Sequence, residues 1–288
     1  MSAPVAGAQV SRPQVLIAQI SDLHIKPPGE LAYGKVDTAT ALARCVSELN
    51  RFEPRPQRVV ISGDLVDVPS PAAYEHLSAL LAPLQIPYAA VPGNHDDLAT
   101  LRDAVTDLGA KDRTDVGNRI IRCSDLDVVL IDSTVRGQDY GLLGAETLAW
   151  LDEALGSSAT RPALLFLHHP PFVTGIAHMD VQNLRNAEDL AALLHKHERV
   201  QLVAAGHVHR SILTRFAGVA ATVCPAPNHA VALDLDAHLP PSFKIEPPAF
   251  HLHAWFPGDR FGSIVTHWVP IGDFAGPHPF RDGAGKFL

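Results

Sequence analysis

Metal-binding side chains fall at the ends of five apolar runs: Asp22 with His24, then Asp64, Asn94, His168, and His207 with His209. Carboxylate, imidazole and amide oxygen suit borderline or hard divalent ions, and the absence of thiolate disfavours a purely structural zinc site. In Asp22-x-His24 and His207-x-His209 the residues sit at i, i+2. In extended chain that spacing turns both side chains to one face, so two ligands from one segment can reach one centre. Asp64 follows Gly63, which permits a sharp turn. The stretch Val91-Pro92-Gly93-Asn94-His95-Asp96 offers an amide, an imidazole and a carboxylate in succession. These could be a ligand, a proton donor and the group that orients it. Gly93 lets the backbone turn sharply there. Each piece alone has a plainer reading: Asn94 and Asp96 as helix caps, Gly63-Asp64-x-x-Asp67 as a turn, His168-His169-Pro170-Pro171 as a packed loop. The conjunction, in one order and always at the end of an apolar run, points to a dinuclear metal site.

The elements that must hold these residues follow from the pattern. Val15 to Ile20, Arg58 to Ser62 and Tyr88 to Val91 are short apolar runs that read as buried strands. Helical spacing over Thr38–Arg51, Pro71–Leu81 and residues 97–108 separates and follows them. The order β-α-β-α-β-α implies a largely parallel sheet with right-handed crossovers. A hairpin is expected from Arg119–Cys123 and Val128–Asp132 across Ser124-Asp125-Leu126-Asp127. Helices over 145–155 and 187–197 flank strands over 163–167 and 200–205. Strand pairs are expected at 211–216 with 219–223, and at 250–256 with 263–269. Residues 1–13 read as a loose tail, 14–224 as the core, and 225–288 as a Pro-rich lid segment, a terminal strand pair and a tail. A long ordered loop such as 225–249 is more often a lid or interface than a plain connector.

The composition limits what such a protein can be. Its 288 residues are 47% hydrophobic and 19% charged, so it can bury a substantial core and is not disordered. A net charge of −8 argues against stable nucleic-acid or anionic-membrane binding. It leaves room for a small anionic substrate, because bound divalent ions reverse the local field. Sixteen histidines is a high count beside four tyrosines and three tryptophans. Cys45, Cys123 and Cys224 have no C-x-x-C spacing, so reduced core cysteines in a cytoplasmic protein are expected. The N-terminus lacks the pattern of a secretory signal, and no apolar run approaches the roughly 18–20 residues of a membrane span.

The order Asp22-x-His24, Gly63-Asp64-x-x-Asp67, Gly93-Asn94-His95-Asp96, His168 and Gly206-His207-x-His209 resembles the calcineurin-like metallophosphoesterases. The match spans residues 15–223. Within that superfamily the chain looks most like bacterial glycerophosphodiesterases and class III cyclic-nucleotide phosphodiesterases. Tyr33-Gly34 with Val36-Asp37-Thr38, the His168–Pro171 run, and the Pro-rich segment with its strand pair carry this closer likeness.

The resemblance implies an α/β fold, a four-layer α/β/β/α sandwich with a small C-terminal β/loop cap. It implies two divalent ions (Fe, Mn, Zn or Co), one held by Asp22, His24, Asp64 and His209, the other by Asp64, Asn94, His168 and His207. Such ions would supply hydroxide near neutral pH for in-line attack on phosphorus. His95 would stabilise the transition state or protonate the leaving group, with Asp96 either orienting it or capping a helix. His229 resembles a histidine that reaches the substrate phosphate, or is a surface-loop residue. His169 has no evident role, and Asp67 reads as support for a ligand. The substrate expected is a small phosphodiester, a 3′,5′-cyclic nucleotide such as cAMP or a glycerophosphodiester. A phosphomonoesterase or nucleotidase is the alternative on the same core, and a non-catalytic scaffold is disfavoured by the complete ligand set. A homodimer or higher oligomer is expected.

Overall fold

The computed structural model describes residues 12–105, 117–283 and 285–288. Most of the expected N-terminal tail, and residues 106–108 of the expected third helix, lie outside these.

The first three strands are β1 (Val15–Ile20), β2 (Arg58–Ser62) and β3 (Tyr88–Val91), paired in parallel. Every β1 residue is buried, which is why its sequence is an unbroken apolar run. Between and after them come α1 (Thr38–Arg51), α2 (Pro71–Leu81) and α3 (Leu98–Val105). Asp37 caps α1 by accepting from Thr40 N–H, and Ser70 caps α2, which has Pro71 in its first turn.

The hairpin of β4 (Arg119–Cys123) and β5 (Leu126–Leu130) turns on Ser124-Asp125 alone, two residues tighter than expected. The polar Asp127 lies inside β5 because Arg199 pairs with it in the interior. Then follow α4 (Ala145–Gly156), β6 (Ala163–Phe166), the single turn α5 (Ala177–Asp180), α6 (Ala187–Lys196) and β7 (Val200–Ala205). The remaining strands are β8 (Ile212–Phe216), β9 (Val219–Val223), β10 (Ala230–Val231), β11 (Phe243–Lys244), β12 (Ala249–Phe256) and β13 (Ser263–Pro270).

Two sheets result, ordered β13-β12-β1-β2-β3 and β4-β5-β6-β7-β9-β8. The terminal pair β12–β13 is thus built into the first sheet, with β12 antiparallel to β1. The short β10–β11 ribbon supplied by the Pro-rich segment stands apart.

Strand alternation sorts the apolar side chains into layers. Leu16, Ala18 and Ile20 of β1 pack outward with Leu42 and Leu49 of α1 and Leu77 of α2. Val15 and Ile17 face inward and meet Leu130, Leu164 and Phe166 of the second sheet. The far side of that sheet buries Leu165 and Val203 under Leu151 of α4 and Leu190 of α6. The result is the α/β/β/α sandwich, with the β10–β11 ribbon as its small cap. Between the sheets a polar seam replaces part of the oil: Gln19 Nε2 donates to Ser62 Oγ (2.8 Å) and the Ala205 carbonyl (3.0 Å), and its Oε1 meets His253 Nε2 (3.0 Å). The three cysteines are buried and free.

Candidate metal centre

The ligand-bearing loops follow β1, β2, β3, β6 and β7 and meet at one end of the sandwich. Their backbones are unusual. Asp22 (φ 57°), His24 (45°), Asp64 (51°), His207 (72°) and His209 (57°) all lie in the left-handed region. That conformation costs an L-residue on the order of 1–2 kcal/mol, and it persists only where the surroundings impose it. The i, i+2 pairs therefore do not reach one centre from extended chain, as the spacing implied. Asp22 and His24 do so from a tight left-handed loop pinned by Asp22 N–H to the Gly63 carbonyl and His24 N–H to the Asp64 carbonyl, each 3.0 Å, while His207 and His209 turn to different donor groups.

Two donor groups result. In the first, His24 Nε2 lies 3.2 Å from His209 Nε2 and 3.5 Å from Asp64 Oδ2, and His209 Nε2 lies 3.5 Å from Asp22 Oδ1. In the second, His168 Nε2 lies 3.1 Å from Asn94 Oδ1, 3.3 Å from His207 Nδ1 and 3.4 Å from Asp64 Oδ2. Asp64 Oδ2 is common to both. Lone pairs this close repel unless a proton or a cation sits among them. Two buried carboxylates, four imidazoles and an amide oxygen, with no sulfur, form a donor set that fits a pair of divalent cations.

Supporting contacts aim the rings. His168 Nδ1 donates to the Ser62 carbonyl (2.8 Å), which turns Nε2 inward. Asp67 Oδ1 lies 3.4 Å from His24 Nδ1, while its Oδ2 accepts from Lys26 Nζ (3.0 Å). Asp22 accepts the His207 N–H at 2.9 Å. Gly93 is required by space, not by its own dihedral as expected from sequence. A Cβ there would come within 2.2 Å of Asp64 Oδ1.

The electrostatics follow from burial opposed by neighbours. Burial raises the Asp22 carboxyl to about 6. Burial acts on Asp64 in the same direction, but His168, His95 and His24 outweigh it and hold that carboxyl well below the usual range. Burial opposes protonation of His168, and Asp64 and Asp22 overcome it to bring the ring to about 9. His207 is driven down to about 3 by burial and by His168. Burial and His24 hold His209 well below its ordinary value. A site that keeps both carboxylate and protonated imidazole in its interior is one that cation binding would discharge.

His95 and Asp96 have separate partners. His95 Nδ1 donates to the Asp67 carbonyl (2.8 Å), and its backbone N–H to Asp64 Oδ1 (2.9 Å). The expectation that Asp96 orients His95 is corrected here. The Asp96 carboxylate accepts instead from Gly93 N–H (2.9 Å), Leu65 N–H (3.1 Å), Val66 N–H (3.3 Å) and the Tyr74 hydroxyl (3.2 Å). It clamps the β3 turn to the β2 turn. Burial and Asp64 raise this carboxyl to about 6 against those bonds, although the residue as a whole is partly exposed.

His229 reaches the site. Asn228 Nδ2 donates to the carbonyls of Asp22 (2.9 Å) and Leu23 (3.0 Å), and so fixes the Pro-rich segment beside the first motif. The His229 ring sits 4.5 Å from that of His209, centroid to centroid. Burial and His24 lower it to about 4. It shares a cavity of about 340 Å³ with His24, Asp64, His209, His95, Tyr33 and Phe243. The Tyr33 and Phe243 rings, both in its lining, lie 5.0 Å apart, centroid to centroid. Met179 and Gln182 also line it. Sequence reasoning did not find Phe243, Met179 or Gln182. They come from a two-residue strand and from a single helical turn with the residues just after it, too short to leave a periodic signal.

Comparison with known proteins agrees with this geometry. Residues 15–211 match the family model described as calcineurin-like phosphoesterase. The chain is 36% identical over 95% of its length to a probable glycerophosphodiester phosphodiesterase (GpdQ) of Arcobacter nitrofigilis, covering 100% of that protein. It is 30% identical over 74% of its length to the 3′,5′-cyclic adenosine monophosphate phosphodiesterase CpdA of Escherichia coli, covering 74% of it. Among solved structures, a dimetal phosphatase from Danio rerio superimposes with a TM-score of 0.62 at 16% identity, over 90% of this chain and all of that one, which speaks to the fold alone. With the family motif spanning most of the chain and its donor residues converging at the strand ends, the protein belongs to the calcineurin-like phosphoesterase family.

Proposed function

We propose that the protein is a dinuclear metal-dependent phosphodiesterase acting on small diesters, 3′,5′-cyclic nucleotides or glycerophosphodiesters. The observation that carries this reading is the position of Asp64 Oδ2, 3.5 Å from His24 Nε2 and 3.4 Å from His168 Nε2. One carboxylate shared by two donor groups is the arrangement for two adjacent cations. One ion is assigned to Asp22, His24, Asp64 and His209, and the other to Asp64, Asn94, His168 and His207. When bound, such ions activate a water and neutralise charge on the phosphoryl oxygens. The names of the curated relatives support a diester as substrate.

The chain's own residues do the rest. His95 commits Nδ1–H to the Asp67 carbonyl, which leaves Nε2 as the nitrogen available to the cavity. Protonated there, it is the donor for the departing alkoxide. Asn94 aligns the phosphoryl group, and His229 contacts its outer oxygens. Asp96 acts through the backbone by fixing the turn that carries both Asn94 and His95. Fe, Mn, Zn and Co all suit the donor set.

A cytoplasmic setting accords with three free buried cysteines. No helix among the described residues is long and apolar enough to cross a membrane. We read 14–224 and 225–288 as one folded unit that assembles as a homodimer or higher oligomer. The exposed Phe280 and Leu288 of the tail are apolar surface for such an assembly.

The test is turnover of bis-p-nitrophenyl phosphate against p-nitrophenyl phosphate, with and without chelator. Diester preference abolished by chelation is expected. Preference for the monoester would favour the phosphomonoesterase reading, and no turnover after metal loading would favour a scaffold.

A further inference from the structure

His169 belongs to the His168–Pro171 run, yet the metal centre as assigned does not use it. Its imidazole is wholly buried and sits in a slot that fits it closely. On one side Ser133 Oγ lies 2.8 Å from Nδ1 and accepts the His169 backbone N–H (3.3 Å). On another side is Gly141, where a Cβ would come within 2.6 Å of the ring. Gly141 is held against the loop after α5 by its N–H to the Asn183 carbonyl (3.3 Å) and by its carbonyl, which accepts from Arg185 N–H (2.9 Å).

The other nitrogen, Nε2, is buried without a hydrogen-bond partner of good geometry, and the Asp139 carbonyl is a further polar neighbour of the ring. Nε2 of His207 is likewise buried without a partner. The two rings lie 4.9 Å apart, centroid to centroid, and each also touches His168. Donor atoms of these three histidines fall within 4.8 Å of one another. Two orphaned polar atoms in one buried cluster destabilise it unless they satisfy one another.

We infer that His169 is a positioning residue for His207, taking the His207 Nε2–H on its own Nε2 across one ordered water. This rests on the dinuclear reading above. His207 turns Nδ1 toward the second donor group, 3.3 Å from His168 Nε2. A neutral imidazole that ligates through Nδ1 carries its proton on Nε2, and that proton needs an acceptor. His169 is able to supply one if its own proton sits on Nδ1, facing Ser133. Ser133 and Gly141 are then parts of the same device, since both fix the ring.

The test is made on the Zn(II)-loaded protein, with two readouts besides turnover. The first is Zn(II) affinity by chelator competition for wild type, His169→Phe and His169→Gln, each checked for native thermal unfolding. His169→Phe is expected to weaken one of the two Zn(II) sites about 10- to 100-fold, the range typical when a partner of a ligating histidine is lost. The other site should stay within about twofold. His169→Gln, which keeps an acceptor, is expected to restore affinity to within about threefold. The second readout is the imidazole nitrogen spectrum of wild type, which needs no variant to fold. A proton on His169 Nδ1 and on His207 Nε2 is expected. Native affinity at both sites in His169→Phe, equal weakening by Phe and Gln, or a proton on His169 Nε2 would each overturn the assignment. Wild-type protein that binds one Zn(II) would overturn the dinuclear reading itself.

Discussion

His24 Nε2 and His209 Nε2 lie 3.2 Å apart although the two residues are 185 positions apart in the chain. Neither ring nitrogen can donate to the other while both carry lone pairs, and Asp22 and Asp64 crowd the same space. The protein therefore holds in place a cluster that a cation stabilises. Stripping the metal with a chelator is expected to lower the melting temperature by about 10 °C, the shift for a ligand present at roughly a thousandfold excess over its dissociation constant. Calorimetry with and without added Zn(II) measures it. An unchanged melting temperature would show that nothing is held there.

On the proposed reading, Asn94 and His95 are neighbours with different duties. Asn94→Ala should lower bound metal from two equivalents toward one. His95→Ala should keep both and reduce turnover about 10²- to 10⁴-fold, the range for loss of a general acid. Metal content measured beside activity separates the two outcomes. A His95 variant that loses metal, or keeps full activity, contradicts its role.

Gly93→Ala should abolish metal loading while leaving the sheets intact. Its methyl would come 2.2 Å from Asp64 Oδ1 and 2.3 Å from the Asp64 nitrogen, and backbone at that distance cannot yield. Circular dichroism beside metal analysis is the check.

Phe243→Ala should raise KM for bis-p-nitrophenyl phosphate about three- to tenfold through the lost ring contact. kcat should change less than about twofold, because Phe243 lines the cavity without being a proposed metal ligand or the proposed proton donor. Steady-state kinetics decides it.

His251 gives the fold a measurable acid sensitivity. Burial lowers its pKa from 6.5 to about 4 while Nε2 meets Ser211 Oγ at 3.0 Å. A depressed histidine favours the folded state fully above pH 6.5, and this contribution is lost as the pH falls through about 4. Its size is on the order of 3 kcal/mol. His251→Leu should flatten the stability profile of the metal-free protein between those limits, as read by urea unfolding at a series of pH values.

Much of the centre was legible because each ligand follows a run of buried residues, and burial on both faces leaves an unmistakable apolar string. What those strings do not carry is sideways adjacency. Nothing in residues 249–256 says that they lie beside 15–20, because antiparallel pairing depends on geometry that only the folded chain defines. Backbone conformation was equally hidden. Asp22 and His24 sit at a spacing compatible with extended chain, and only the bonds to Gly63 and Asp64 force the left-handed turn. Asp127 reads as turn in the sequence because its partner, Arg199, is 72 residues away. His169 and Asp96 show the remaining limit: residue type suggests a role, and only the neighbours decide which one.

The placement of β12 between β13 and β1 bears on how the protein is made. β1 leads directly into Asp22 and His24, and one of its two edges is covered by a strand that the ribosome delivers more than two hundred residues later. Until then that edge is bare, and β1 is supported from the β2 side alone. His207 and His209 also precede β12 in the chain. Every ligand is therefore synthesised before the scaffold that fixes them is closed. Closing so long a loop is slow, and completion of the first sheet is expected to be a late step of folding.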